Sequence, residues 1–465
     1  MTAPEALPPR PVARLTRPFV RFMHLQASGG AVLLGATVIA LVLANTGLAD
    51  EYAALWDREF SIGFAGARLS YPLWYWINDG LMTIFFFVIG LEIKRELIWG
   101  ELRDRRNVVL PVVAAIGGAA VPVGIFLLLQ PSLPKRAGWA VPMATDIAFV
   151  VGCLAVLGSR VPPALKVFML SLAIIDDILA VAVIALVFSS SIDVVWVACA
   201  AGGFVVVGLL NRIGVRRMAI YVLAGTAIWL CTLKSGIHPT VAGVLLGLLT
   251  PATAWIRDAT LLEVLDKSLA HLRDGGDGPS PERREAVESL AFAATESVSP
   301  LERLERGLHA WVAFAIMPLF ALANAGVPVS LAGLRDPIAI AVVCGLGLGK
   351  PIGIAGATWL AVKLRLAHLP DRVSWLALIG AAWLGGIGFT MALFIASLSL
   401  VGPPLDAAKS GILVGSALSL LCGFAVLAPA LRRRSVPGGQ GAGGPTDLDR
   451  RRNLATNLGA DSGRA

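Results

Sequence analysis

The chain has 465 residues, 56% of them hydrophobic and 15% charged, with a mean hydropathy of +0.76. Soluble domains carry closer to about 25% charged residues, so composition excludes an ordinary soluble fold and points to an all-α polytopic membrane protein. The net charge of +8 does not imply nucleic acid: Lys and Arg fall in short segments between apolar runs rather than in one patch, and no nucleic-acid partner is expected.

Before the first apolar run stand Arg10, Arg14, Arg17 and Arg21, like the basic start of a signal peptide. The run that follows, about 28–48, is long enough to cross a bilayer and has no small-residue cleavage site. It is therefore expected to remain as a helix behind a cytoplasmic segment 1–27. Residues 58–70 alternate polar and apolar side chains, with Gly63, Gly66 and Pro72 as breakers. This predicts a small extracytoplasmic hairpin whose edge offers a homodimer contact to a second copy of the chain.

Apolar runs of about 20 residues give about twelve spans: 28–48, 72–98, 108–129, 138–158, 164–188, 193–211, 217–233, 236–253, 305–328, 337–362, 373–399 and 407–431. The first eight fill 28–253 and the last four fill 305–431. Between them lies a charged connector, 254–304, with a short amphipathic helix expected over 261–272. A Gly-, Asp- and Arg-rich tail at 432–465 is expected to be disordered and cytoplasmic. Lys and Arg crowd alternate loops, at 94–106, 160, 212–217, 257–306, 363–372 and 432–434, which puts those loops and both termini inside. The five cysteines, Cys153, Cys199, Cys231, Cys344 and Cys422, lie singly in apolar runs and read as packing residues.

The costliest feature is Asp176-Asp177, inside the apolar run 164–188. An ionised Asp at the centre of a membrane helix costs about 2.5–3.5 kcal/mol. Neighbouring helical residues point about 100° apart, so the two cannot share one partner. One can line a water-filled cavity while a cation holds the other. A purely structural ion pair would leave one of them unsatisfied.

Two spans have irregular centres: Pro142-Met143-Ala144-Thr145-Asp146 in the fourth, and Gly385-Gly386-Ile387-Gly388-Phe389-Thr390 in the eleventh. Pro removes a backbone donor and Gly weakens a helix, so both spans are expected to be discontinuous. Each lies in the middle of a triplet, helices 3–5 and 10–12, and the triplets enter the membrane from opposite sides. This is the pattern of inverted-topology repeats around an ion site. Asp146 is placed to offset the positive ends of broken helices, and Lys350 to offset the negative ends or pair with Asp176. Thr145 has the alternative of bonding back to its own helix. Asp79 is an intramembrane acid with no role legible in the sequence.

Ala144-Thr145-Asp146-Ile147-Ala148-Phe149, Ile174-Ile175-Asp176-Asp177, Lys234-Ser235-Gly236-Ile237-His238, Gly349-Lys350-Pro351 and Gly386-Ile387-Gly388-Phe389-Thr390 together resemble the NhaA family of sodium/proton antiporters. Gly90-Leu91-Glu92-Ile93-Lys94-Arg95-Glu96-Leu97 and Ala323-Asn324-Ala325-Gly326-Val327 extend the likeness to about 25–430. The resemblance implies a secondary transporter, not an enzyme, in the bacterial inner membrane. It would export one Na⁺ or Li⁺ for two protons, serving pH and sodium homeostasis. It implies Asp177 and Asp176 as cation and proton carriers, Thr145 and Asp146 at the crossing of broken helices, and Lys350 as the intramembrane cation. Glu92, Arg95, Glu96, Glu305 and His309 match positions of pH regulation. The bland alternatives are a solvated helix end for Glu92, Arg95 and Glu96, and satisfied structural histidines for His238 and His309. Arg306 stands where the family has His, and Ile178-Leu179 where it has Leu-Gly.

Na⁺ is hard and prefers oxygen ligands, which the carboxylates, the Thr145 hydroxyl and freed carbonyls supply without any resident cofactor. Burial and a like-charged neighbour favour the protonated form of any carboxyl, so proton and cation can compete for one site. The expected partners are Na⁺, Li⁺, H⁺ and membrane lipids. An intramembrane aspartyl protease needs two carboxylates converging on one water from separate helices, and adjacent Asp residues diverge. A passive channel could not drive Na⁺ uphill, and an organic-anion symporter would need a further polar cluster that the chain lacks.

Overall fold

A computed structural model describes residues 28–64, 67–131, 135–189, 191–215, 217–274, 281–328 and 331–432. The segment 1–27 and the tail beyond residue 432 lie outside the described residues. In chain order come α1 (Ser28–Ala44) and α2 (Ala49–Asp57), then strands β1 (Glu59–Phe64) and β2 (Ala67–Pro72). A π turn at Trp76–Leu81 leads into α3 (Met82–Ile98), followed by α4 (Arg105–Leu129) and a 3₁₀ segment at Lys135–Met143. Then follow α5 (Ile147–Leu157), α6 (Pro163–Val187), α7 (Val194–Ile213), α8 (Met218–Lys234) and α9 (Thr240–Leu249). The connector forms α10 (Asp258–Asp274) and α11 (Pro281–Glu296). The last elements are α12 (Pro300–Asn324), α13 (Pro337–Lys363), α14 (Trp375–Leu384), α15 (Phe389–Ser399) and α16 (Pro403–Arg432).

Among the described residues, 7 helices are long and apolar enough to cross a membrane, or up to 9 if each bent pair counts as one span. The bent pairs are α1 with α2, at 114°, and α14 with α15, at 45°. The expected spans 217–233 and 236–253 hold shorter apolar helices of 17 and 10 residues, and 72–98 holds the 17-residue α3, whose last turns carry four charged residues. The protein is a multi-pass membrane protein, and its surface shows why. Only 11% of the apolar window of α7 is buried inside the protein, and Val205, Leu209, Val222 and Leu223 point outward. Such an apolar surface requires lipid.

Caps mark where helices meet polar surroundings. Asp193 Oδ1 accepts the Val195 amide at 2.9 Å to start α7, and Gly214, at φ +84°, ends it. The hairpin expected over 58–70 is present as antiparallel β1 and β2, with Phe60 opposite Tyr71 and Ile62 opposite Leu69. The connector departs from expectation. In place of one short helix it forms two, α10 and α11, packed on each other, because buried Ser268, Ala286 and Ala293 give each a face to cover. α12 also begins at Pro300, earlier than the expected 305, because the Ser299 hydroxyl accepts the Glu302 amide at 3.2 Å and caps it.

Close helix approach places the polar centre. α4 packs along α13, and α3 along α9. A Cβ added to Gly353 of α13 would lie 3.1 Å from the Gly118 Cα of α4, and one added to Gly349 would lie 2.7 Å from the Pro122 Cα. Small residues let the backbones touch and carry Lys350 inward. Gly353→Val should overpack this crossing and cost about 1–3 kcal/mol or more. A lowered melting temperature of the purified protein in detergent checks it.

Candidate cation and proton site

α6 carries Asp176 and Asp177 in the middle of 25 unbroken helical residues. Pro163 opens the helix, where a missing amide hydrogen costs nothing, and no Gly interrupts it. The two carboxylates are 1% and 2% exposed.

Lys350 reaches them from α13, just after a π turn at Gly345–Gly349, and is fully buried. Its Nζ lies 2.6 Å from Asp176 Oδ2 and donates to Thr145 Oγ1 at 2.9 Å. The Thr145 hydroxyl in turn donates to the Gly385 carbonyl at 2.8 Å. Thr145 therefore reaches the other irregular segment instead of bonding back to its own helix. Asp176 Oδ1 has no hydrogen-bond partner among the described residues.

Asp146 joins the same two segments. The chain is irregular at 144–146, between the 3₁₀ segment and α5, with Asp146 itself extended, and turns between α14 and α15. The Asp146 amide donates to the Ile387 carbonyl at 2.7 Å. Its Oδ1 accepts the Phe149 amide at 3.2 Å, and its Oδ2 accepts the Thr390 amide at 3.1 Å and the Thr390 hydroxyl. One carboxylate thus meets the N-termini of α5 and α15, both positive helix ends.

Asp177 has no such partner. No side-chain hydrogen bond reaches it among the described residues, yet Asp176, Glu92, Asp146 and Lys350 all lie within electrostatic reach. It is the one of the three buried acids here without a hydrogen-bond partner on either oxygen among the described residues.

Toward the start of α6, a cavity of about 690 Å³ opens between the 96–107 segment and α6, lined by Glu96, Glu101, Arg103, Asp104, Asn107 and Ser171 among others. Beside it Arg95 pairs with Glu305 of α12 and lies 3.4 Å from Glu96, while Glu96 Oε2 accepts the Glu101 amide at 3.2 Å. Glu92 sits within reach of Glu305, Arg95 and Glu96. The structure therefore brings together four of the five residues that the resemblance matches to positions of pH regulation. His309 is exposed a turn beyond Glu305 and stands outside the cluster.

Sequence reasoning missed Thr390 as the partner of Asp146. The signal was a hydroxyl residue directly after a Gly-rich break, where helix starts recruit side-chain hydrogen bonds. It also left Asp79 unassigned. His238 Nε2 lies 3.3 Å from Asp79 Oδ1, and His238 Nδ1 lies 2.7 Å from Thr240 Oγ1.

The family model described as "Na+/H+ antiporter 1" matches residues 20–427. The chain belongs to this Na⁺/H⁺ antiporter family. It is 48% identical over 421 residues to the Na(+)/H(+) antiporter NhaA of Rhodopirellula baltica, covering 90% of this chain and 96% of that protein. It is 47% identical over 433 residues to NhaA 3 of Acidiphilium cryptum, covering 93% and 94%. It is also 47% identical over 423 residues to NhaA of Rhizobium meliloti, covering 90% and 96%. Membership in this antiporter family makes the protein a transporter rather than an enzyme.

Lys350→Ala would strand the buried Asp176 carboxylate, and breaking a buried pair in this way costs about 3–5 kcal/mol. The melting temperature should fall, and adding Asp176→Asn should recover part of the loss. A double-mutant cycle on the purified protein measures the coupling.

Proposed function

We propose that the protein is an electrogenic Na⁺(Li⁺)/H⁺ antiporter that exports sodium in exchange for protons and so serves sodium and pH homeostasis. The observation that carries this reading is the division of labour at the centre: Lys350 is committed to Asp176, and Asp177 has no fixed partner among the described residues. Family membership supports the exchanged ions, and the geometry supports the residues.

In the proposed cycle the carboxylates face the cytoplasm and take Na⁺, with the Thr145 hydroxyl and backbone carbonyls of the irregular segments as further oxygen donors. The site then turns to the outside and releases Na⁺. Two protons take its place, one on each Asp, and the site returns. Each turn moves two positive charges inward and one outward, so a net positive charge enters. Protonation of Asp176 loosens its hold on Lys350, which couples the load to the link between α13 and α6.

The same reading takes the chain as twelve spans with both termini cytoplasmic. Triplets 3–5 and 10–12 are inverted repeats, and their middle helices are discontinuous. The irregular backbone at 144–146 and 385–388 supports this, since unwound chain at membrane depth is tolerated only against protein or a water-filled cavity. Residues 254–304 serve as a cytoplasmic connector. Glu92, Arg95, Glu96 and Glu305 form a charged entrance that responds to pH, with His309 at its margin. The hairpin at 58–70 is the contact to a second copy.

Asp177→Asn keeps the volume and removes the charge, so purified variant in sealed liposomes should show no Na⁺-driven proton movement while remaining monodisperse. Sustained exchange by that variant would refute the assignment of Asp177. The parent protein should extrude Na⁺ against its gradient when only a pH gradient is imposed, with a potential that reports net charge movement.

A further inference from the structure

The hydroxyls of membrane helices usually bond back to the carbonyl four residues earlier. Thr37, Thr232, Thr250, Thr358 and Ser410 all do so here. Ser171 of α6 does not. Its side chain is buried at 3% exposure and receives or donates no hydrogen bond among the described residues, yet it lines the 690 Å³ cavity. A hydroxyl without a protein partner, on the wall of a cavity that Glu96, Glu101 and Asp104 also line, is suited to a small hard cation. Arg103 shares that rim and tempers its negative charge, and Arg95 already engages Glu96. The carboxylates therefore attract a cation to the mouth without trapping it.

Helix geometry relates the cavity wall to the two carboxylates of α6. Val167, Leu170 and Ser171 line it from α6 and occupy an arc about 100° wide. Leu170 and Asp177 are seven residues apart, so Asp177 falls within about 20° of the edge of that arc, while Asp176 falls about 120° outside it. Ser171 stands about 9 Å before Asp177 along the axis, at 1.5 Å per residue. Ile174, 2% exposed, lies between them on the same arc.

We propose that Ser171 is an entry ligand for the transported alkali cation: its hydroxyl replaces part of the hydration shell at the cavity floor and hands the ion past Ile174 to Asp177. This rests on the assignment of Asp177 as the cation carrier. Ser171 shapes cation entry and selectivity and takes no proton.

The test uses the full chain in liposomes, with Na⁺ or Li⁺ varied at fixed pH. Ser171→Ala should raise the KM for Na⁺ about fivefold while changing kcat less than about twofold, as expected for loss of one oxygen contact on the way to the site. Ser171→Thr keeps the hydroxyl and should restore the KM. In a parallel arm, Ser171→Cys in inverted membrane vesicles should react with a membrane-impermeant thiol reagent, and Na⁺ should slow that reaction. A parental KM in Ser171→Ala, or modification of Ser171→Cys indifferent to Na⁺, would overturn the proposal. Asp177→Asn run alongside separates the two ideas. An unchanged KM with an inactive Asp177→Asn sinks only the entry ligand, whereas exchange by Asp177→Asn sinks the carrier assignment on which it rests.

Discussion

The ion pair between Lys350 and Asp176 is the constraint around which the centre of the protein is arranged. A fully buried ammonium is tolerable only with a counter-charge and hydrogen-bond acceptors, and Lys350 has both in Asp176 Oδ2 and Thr145 Oγ1. The surroundings hold three buried carboxylates, Asp146, Asp176 and Asp177, against this one cation. Asp146 is offset by amides at two helix starts. Asp176 is offset by Lys350. The residual negative charge falls on Asp177, which has no fixed partner among the described residues, and a centre left one cation short is suited to bind one.

That arrangement depends on backbones that approach closely. Gly353 and Gly349 let α13 press against α4, so the Lys350 side chain need not stretch across a gap. The π turn at Gly345–Gly349 then adjusts the direction in which residue 350 leaves its helix. Thr145 and Asp146 do the reciprocal work from the other side, tying the irregular chain at 144–146 to the Gly-rich turn before α15. The two irregular segments satisfy each other's polar groups, which is what keeps unwound backbone tolerable away from water.

Much of this was legible in the sequence because the costs are large. Two adjacent acids in an apolar run, a lone Lys in another, and Pro- or Gly-bearing breaks are each expensive in lipid, and each marks the centre. The membrane class followed from hydropathy, and the hairpin from alternation and its glycines. What stayed hidden depends on tertiary contact. The Thr390 hydroxyl bonds Asp146 across 244 residues, and Asp79 meets His238 across a long stretch of chain. The second connector helix was missed because its charged composition resembles a solvated loop, and burial of alanines against α10 decides it.

An exchanger must open its site to one side at a time, and the two ends of this centre differ accordingly. On one side α6 is bordered by the cavity as far as Ser171. On the other, Phe394 of α15 is buried against Phe86, Phe320 and His238, with ring centroids 5.3, 6.2 and 5.5 Å away. Under the proposed cycle, outward opening has to part this aromatic cluster. Phe394 lies on the same helix as Thr390, which holds Asp146, so α15 cannot shift alone without breaking the bonds that join the two irregular segments. Under the same cycle, a movement that keeps those bonds carries α5 and α15 together past α3 and α12, exchanging aromatic contacts, while protonation of Asp176 loosens its hold on Lys350.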